Sequence, residues 1–270
     1  MLTLFGDYWL DISDPMPSGA LVAALGDIGM KEPAARATLS RMVRTGLLDL
    51  ERVGRRTTHS LTERATGIVR EEADWLDAFG CHEPEWDGMW SVLAFSIPES
   101  RRAVRHSARS RLKWLGFAPL YDGVWISPLR DDGEAMSQLR TIGVDDVTSM
   151  RATLETSFDG PARAWDLAAV VRQYADFEAE LTSAPDPGTL RDALSERSRL
   201  MLAWQAFRGV DPGLPITLLP DPWPRVAIRA LFAGRYNALG PAAEERVRSH
   251  IAAISPELGE LVTERRLAIS

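Results

Sequence analysis

The residues best suited to chemistry in this sequence are arginines and small polar residues between positions 36 and 57. An arginine side chain carries five N–H donors in a planar fork, which matches the edge of guanine or a phosphate group. By helical spacing, Arg36 flanks a helix face that carries four of these residues: Ala37, Ser40, Arg41 and Arg44. This combination indicates a helix that lies in the major groove of DNA, although an ordinary solvent-exposed helix face is the alternative.

The same segment carries the apolar residues that such a helix needs to pack against a core. They recur at i, i+4, i+7 and i+8 and are Ala35, Leu39, Met42 and Val43. Pro33 suits the first helical turn, and Gly46 suits the position just after the last one. The spacing therefore predicts a helix over Pro33–Thr45.

The position of each polar residue along this helix predicts its role. Residues near the start of a recognition helix reach the edges of bases, so we expect Arg36, Ala37 and Ser40 to read sequence. Ala37 would contact a thymine methyl group. We expect Arg41 and Arg44 to hold phosphates, which position a protein on the duplex without specifying sequence.

A β-hairpin with a basic tip is predicted directly after this helix. Residues 47–62 form two short alternating runs around Gly54. The tip would enter a minor groove or hold the DNA backbone through Arg52, Arg55, Arg56 and Thr57. A helix followed by a basic-tipped hairpin is the outline of a winged helix-turn-helix, although a hairpin tip without any DNA contact is also usually polar.

Positive charge is concentrated in this part of the chain. The chain of 270 residues has a net charge of −7. Residues 31–70 contain nine positive and four negative residues and so carry +5, which leaves −12 for the remainder. For nucleic-acid binding the distribution of charge matters more than the total. A basic module on an acidic body is what a repressor with separate DNA-binding and regulatory parts requires.

The pattern of elements predicts an α+β chain of several domains. Residues 1–80 form the winged helix-turn-helix domain, with helices over 2–10 and 18–25, Ser18 as the N-cap of the second, and a last helix that begins at Thr62. Residues 81–158 alternate as βαββαβ, the order of a ferredoxin-like domain. Residues 159–270 form an all-helical C-terminal domain.

A second basic helix is predicted in the central domain over 99–114. It either binds the phosphates of a small ligand, adds DNA contacts, or is a solvated helix paired with acidic neighbours. The candidates for binding a small-molecule effector are Arg101, Arg105, Trp125 and Trp204. No nucleophile triad, phosphate-binding loop or spaced set of metal ligands occurs, so we expect no catalytic residue, metal ion or cofactor.

The cysteine content and the N-terminus predict a cytoplasmic protein. One cysteine, Cys81, excludes an intrachain disulfide and fits a reducing compartment. The first residues lack the basic region of a signal peptide. No apolar run approaches the roughly 20 residues that span a bilayer, so we expect no membrane partner.

Four segments in order resemble the PaaX family of transcriptional repressors. They are VRTGLL with ERVGRRTTHSLT (43–62), WDGMW (86–90), RLKWLGFAPLYDGVWISP (111–128) and VDPGLPITLLPDPWP (210–224). The resemblance implies a winged helix-turn-helix, a central Cas2-like ferredoxin-fold domain and a helical C-terminal domain. It also implies a homodimer that represses from palindromic operators in double-stranded DNA and is released by an aryl-acyl-CoA such as phenylacetyl-CoA.

Two other functions stay open at this point. The Cas2 likeness raises a metal-dependent nuclease with a DNA-binding head, but Ser96 stands where such nucleases place an aspartate after the first strand. A winged helix that binds protein rather than DNA is the second alternative, and its binding would not respond to salt as phosphate contacts do.

Overall fold

The computed structural model describes residues 1–54, 56–81, 85–129, 132–155 and 160–269. Helices and two antiparallel sheets make up a mixed fold. The chain divides into two compact units. The first comprises residues 1–81, 177–205 and 226–270, and the second comprises residues 82–176 and 206–225. No helix of the described residues is both long enough and apolar enough to cross a bilayer.

The N-terminal part of the first unit contains four helices and a small sheet. The helices are α1 (Leu2–Tyr8), α2 (Ser18–Asp27), α3 (Glu32–Arg44) and α4 (Glu63–Ala78), and the strands are β1 (Met16–Pro17), β2 (Leu48–Val53) and β3 (Arg56–Leu61). The sheet order is β1-β3-β2, with Leu50 opposite His59 in the β2–β3 hairpin. The predicted helix–hairpin succession is therefore confirmed.

Local signals explain where α3 and α4 begin and end. Pro33 lies in the first turn of α3, and Gly46 follows its end with a φ of +68°, a conformation that favours glycine. The hydroxyl of Thr62 accepts a hydrogen bond from the backbone N–H of Ala65, which caps α4 as expected.

The predicted N-cap at Ser18 is wrong. Pro17 occupies that position, and Ser18 is already the first residue of α2. The Ser18 hydroxyl lies 2.9 Å from Nδ1 of His59 on β3, so it serves a contact between distant elements rather than a helix end. No local sequence pattern predicts this contact between Ser18 and His59.

The central elements follow the predicted βαββαβ order. They are β4 (Trp90–Phe95), α5 (Arg102–Trp114), β5 (Ala118–Tyr121), β6 (Val124–Ser127), α6 (Asp132–Arg140) and β7 (Val147–Ala152). The antiparallel sheet has the order β5-β6-β4-β7. One of its faces packs on α5 and α6 through Leu93 and Trp125, and the other is covered by Trp165 and Leu218 among others.

The α-helices described after β7 are α7 (Leu167–Ser183), α8 (Leu190–Ala206), α9 (Arg225–Ala252) and α10 (Pro256–Gly259). The core of the first unit contains Leu21 and Leu39 from the N-terminal helices together with Leu194, Val247 and Ile251 from α8 and α9. Helices predicted to form a separate C-terminal domain thus share a core with the N-terminal elements. The two compact units therefore divide the chain differently from the predicted boundaries at residues 80 and 158.

Candidate nucleic-acid interface

Helix α3 has one buried face and one exposed cationic face. Its buried residues are Ala35, Leu39 and Met42, which pack into the core of the first unit. The five residues selected from the sequence are all exposed: Arg36, Ala37, Ser40, Arg41 and Arg44. Packing of the apolar face therefore turns the predicted binding residues towards solvent, where a ligand can reach them.

The hairpin presents two further arginines beside this helix. At the hairpin end Arg52 lies opposite Thr57 and Arg56 lies opposite Val53, and both arginines are exposed. Thr57 is half-buried. The predicted contact residue Arg55 lies outside the described residues.

A groove of 540 Å³ separates α3 from the hairpin. Arg36 and Ser40 line it from the helix, and Arg56 and Thr57 line it from β3. The exposed apolar residue Leu50 also contributes to its wall. The structure thus brings four of the predicted residues to one concave surface, whereas Ala37, Arg41, Arg44 and Arg52 do not line the groove itself.

The cations on α3 differ in how far they are already paired. Arg36 forms an ion pair of 2.8 Å with Glu32, one turn earlier, and both side chains are more than half exposed. Within the described ranges, Arg41 and Arg44 have no carboxylate at ion-pair distance. Exposed pairs of this kind contribute at most about 1 kcal/mol, so Arg36 can exchange Glu32 for another acceptor at little cost.

The end of α3 is held to the start of α4 by hydrogen bonds. The Thr62 hydroxyl donates to the carbonyl oxygen of Gly46 at 2.9 Å, and the Arg64 guanidinium donates to that of Thr45 at 3.4 Å. Carbonyls at a helix C-terminus have no partner within the helix, so these donors satisfy them. The contacts fix α3 relative to the hairpin that leads into α4.

Helix α2 is anchored through an aspartate that sequence reasoning missed. Asp27, its last residue, accepts hydrogen bonds from Arg246 at 2.7 and 3.2 Å, and Nε2 of His250 lies 2.6 Å from its carboxylate. Burial raises the pKa of Asp27, but hydrogen bonds from Arg246 and His250 outweigh burial and hold it below the ordinary value. A carboxylate at a helix C-terminus interacts unfavourably with the helix dipole. The position of Asp27 at the end of α2 was therefore the sequence signal that it needs a cationic partner.

His59 forms part of the groove wall behind these exposed residues. Its ring is buried, and burial lowers its pKa, which keeps the ring uncharged at neutral pH. Because Ser18 lies against its Nδ1, His59 connects the start of α2 to the middle of β3. It stabilises the groove and adds no charge to it.

Of the four residues proposed for effector binding, Arg105 and Trp125 line one groove beside α5 in the second unit. The Arg101 and Arg105 guanidinium groups donate to backbone carbonyls, those of Gly143 at 3.1 Å and of Ile97 at 2.8 Å. Trp125 is buried under α5 in the second unit. Trp204 is buried in the first unit, where it stacks on Phe232. Trp204 thus belongs to a different compact unit from the other three.

The described residues hold no cluster of three or more side chains of the types that ligate metal ions. A cationic helix face beside a basic hairpin is instead a surface of the kind that nucleic-acid-binding proteins present.

Comparison with known families identifies the chain more closely. Three family models match it in succession: PaaX-like protein over residues 1–65, PaaX protein central Cas2-like domain over 83–164, and PaaX-like protein C-terminal domain over 165–249. The chain belongs to the PaaX family, as the resemblance of the four sequence segments indicated.

One curated relative and one solved structure extend this result. The transcriptional repressor PaaX of Escherichia coli K12 is 27% identical over 253 residues, which are 88% of this chain and 76% of the relative. A structure of the uncharacterized protein Rv0674 from Mycobacterium tuberculosis superimposes with a TM-score of 0.60 at 21% identity. That match covers 88% of this chain and 93% of the other, and it supports the fold.

Proposed function

We infer that this protein is a DNA-binding transcriptional repressor and that α2, α3 and the β2–β3 hairpin form a winged helix-turn-helix. The observation that carries the proposal is the cationic face of α3 beside a groove that Arg36 and Arg56 line from opposite sides. Helix α3 would enter the major groove of DNA, and the hairpin would lie along the adjacent backbone or minor groove.

In this proposal the residues keep the roles predicted from the sequence. Arg36, Ala37 and Ser40, in the first half of α3, would read base edges. Arg41 and Arg44, further along the helix, would bind phosphates. The hairpin contacts would come from Arg52, Arg55, Arg56 and Thr57.

We further propose that the repressor acts as a homodimer in the cytoplasm, where its operator DNA is. A two-fold symmetric dimer requires a palindromic operator with half-sites about 34–36 Å apart, or a multiple of that spacing. Release by an aryl-acyl-CoA such as phenylacetyl-CoA completes the proposal, and it rests on family membership alone. An effector releases DNA only in so far as it binds the DNA-free conformation more tightly.

Selection of binding sites from random duplexes, followed by fluorescence anisotropy at several salt concentrations, tests the proposal. We expect enrichment of a palindrome and an affinity that falls steeply with salt, since each neutralised phosphate releases counterions. A protein-binding winged helix would enrich no sequence, and that outcome would overturn the proposal.

The nuclease alternative has its own test. Ser96 directly follows β4, at the position where a metal-dependent nuclease of this kind would need a carboxylate, and a serine hydroxyl is a poor ligand for magnesium. We expect labelled DNA to remain intact when it is incubated with the protein and Mg²⁺. Cleavage that is abolished by a chelator would contradict this expectation.

A further inference from the structure

The groove between α3 and the hairpin has a further wall that the C-terminal part of the chain supplies. The α9–α10 corner, residues 254–258, contributes Ile254, Ser255 and Leu258 to the lining of this groove. These residues follow position 249, the last residue that the family models match. The function proposed for α2, α3 and the hairpin does not use them.

The lining of the groove combines positive charge, free hydroxyl groups and apolar surface. Arg36 and Arg56 supply the charge, and none of the described residues that line the groove is acidic. The hydroxyls of Thr58 and Ser255 have no hydrogen-bond partner within the described chain. Together with the exposed apolar side chain of Leu50, these groups match a sugar–phosphate backbone, which offers phosphate oxygens and the apolar faces of deoxyribose.

The hydroxyl of Ser255 is available to a ligand because it does not serve helix α10. Ser255 occupies the N-cap position, where a serine side chain commonly accepts a hydrogen bond from the second or third helical N–H. It makes no such bond, and the residue is half-buried in the groove wall. A free serine hydroxyl at this place can donate a hydrogen bond to a phosphate oxygen.

The α9–α10 corner packs closely against the elements that carry the predicted binding residues. A Cβ on Gly19, near the start of α2, would lie 2.9 Å from Cδ1 of Ile254. On the other side, a Cβ on Gly259 would lie 2.8 Å from the Cβ of Ala252 at the end of α9. Ile254 and Leu258 also pack against the core of the first unit. The corner is therefore held beside the start of α2.

Hydrogen bonds anchor the chain before and after this corner. Before it, α9 is tied to α2 through the carboxylate of Asp27. After it, the backbone N–H of Arg265 donates to the carbonyl of Asp7 at 2.8 Å. Leu267 and the side chain of Asn237 exchange two hydrogen bonds, of 2.8 and 3.0 Å. A surface that is fixed before binding loses little conformational freedom when its ligand binds.

We propose that the α9–α10 corner is a third DNA-contacting element, besides α3 and the hairpin. One sugar–phosphate strand of the duplex would run through the groove. Its phosphates would lie against Arg56 and the hydroxyl of Ser255, and its deoxyribose rings against Leu50 and Leu258. The inference rests on the proposed DNA-binding function and adds to it a contact by residues distant in sequence from α3.

Charged substitutions of Ser255 test this proposal when the full-length protein is titrated with the duplex enriched from random DNA and followed by fluorescence anisotropy. Ser255→Glu should weaken binding about tenfold or more, because it places a carboxylate against the phosphates. Ser255→Lys should strengthen binding and make the slope of log affinity against log salt steeper by about 1, since one more phosphate is neutralised. Ser255→Ala should weaken binding about threefold, the effect of one lost hydrogen bond.

Ser249→Glu and Ser249→Lys are the matched controls. Ser249 is an exposed serine of α9 whose hydroxyl donates to the carbonyl of Arg246 at 2.7 Å, and it is not among the described residues that line the groove. The controls make the same changes of net charge and should bind within about twofold of the unsubstituted protein, because salt screens distant charges. Equal effects at the two serines would show that only net charge matters and would overturn the proposal.

The lysine variant keeps the proposal falsifiable if Ser255→Glu fails to fold, since unfolding cannot raise the affinity for DNA. A Ser255→Lys protein that binds no more tightly than Ser249→Lys would overturn the contact. Tighter binding by Ser255→Ala would identify the corner as an obstruction to DNA and would also contradict it.

Failure of this inference can be told apart from failure of the repressor proposal. A protein that binds its duplex with the expected sequence and salt dependence, but whose Ser255 and Ser249 variants behave alike, would refute only the contact at the corner. A protein that binds no duplex would refute both.

Discussion

Helices α3 and α5 are both 13 residues long and both rich in arginine, yet they use their arginines differently. In α3, Arg41 and Arg44 extend from an exposed face and, within the described chain, pair with no carboxylate. In α5, Arg105 and Arg111 reach neighbouring segments and donate to backbone carbonyls. A binding surface is therefore defined by the arginines whose N–H donors remain free, and not by the number of arginines on the helix.

Carbonyl groups at and just after the end of α6 are the acceptors for two arginines at or near α5. The last carbonyls of a helix lack partners within it and carry partial negative charge. Arg111 donates to the carbonyl of Gln138 at 2.9 Å, and Arg101, just before α5, donates to that of Gly143 at 3.1 Å. The expectation that this basic helix is paired with acidic neighbours holds for Arg102 with Glu99, whereas these other arginines bond to carbonyl groups.

The largest expected effect is on DNA binding through α3. The double variant Arg41→Ala/Arg44→Ala should weaken binding about 100-fold, since each lost charged contact accounts for about tenfold. The slope of log affinity against log salt should become shallower by about 2, measured by anisotropy. The control Arg163→Ala/Arg172→Ala removes the same charge from exposed positions of the second unit. Equal losses in both variants would mean that α3 has no special role.

A smaller change is expected in sequence preference. Arg36→Ala should lower the discrimination between the selected site and single-base variants by about 1–3 kcal/mol at the affected base pair. Arg44→Ala should weaken all these duplexes by a similar factor. If the two variants had the same profile across a panel of duplexes, Arg36 would not be a base-reading residue.

The arginines of α5 should affect stability and leave DNA binding unchanged. Arg111→Ala removes hydrogen bonds to the carbonyl and side-chain oxygens of Gln138, whose carbonyl keeps the Thr141 hydroxyl as a donor, and it should destabilise the fold by about 0.5–1.5 kcal/mol in urea titration. Arg102→Ala removes only an exposed pair with Glu99 and should change stability by about 0.5 kcal/mol or less. A loss of DNA affinity in the folded Arg111→Ala variant would show that α5 as well as α3 contributes to DNA binding, which would contradict this expectation.

The smallest effect concerns pH and the anchor of α2. Because the folded pKa of Asp27 is held below its ordinary value of 3.8, its contacts stabilise the fold above that pH. This contribution is lost as pH falls from about 3.8 through the lowered folded pKa. Asp27→Asn should therefore be less stable than the unsubstituted protein at neutral pH, and the difference should shrink on acidification. A constant difference in midpoint denaturant concentration down to pH 2 would contradict the ionic anchor.

Sequence reasoning located the elements of the candidate interface closely. Helix α3 was predicted over Pro33–Thr45 and is observed over Glu32–Arg44, and the hairpin around Gly54 is present. The Thr62 cap was also correct. These features depend on signals within a few residues of each other, namely apolar periodicity, a proline in the first turn, a glycine at the end and a hydroxyl cap.

The contacts that sequence reasoning missed join residues distant in sequence. Ser18 meets His59, Asp27 meets Arg246, and Arg101 meets Gly143. Each of these contacts is created by packing and leaves no periodic trace in the sequence.

The sequence by itself determined the family, the order of helices and strands and the face of α3 that carries the cations, because these follow from local spacing and side-chain chemistry. Tertiary structure alone decided which arginines remain free for a ligand, how the C-terminal helices share a core with the N-terminal ones, and where grooves open beside α3 and α5. The physical reason is that a guanidinium group bonds to whichever acceptor the fold brings within reach, and that acceptor is chosen by packing over the whole chain.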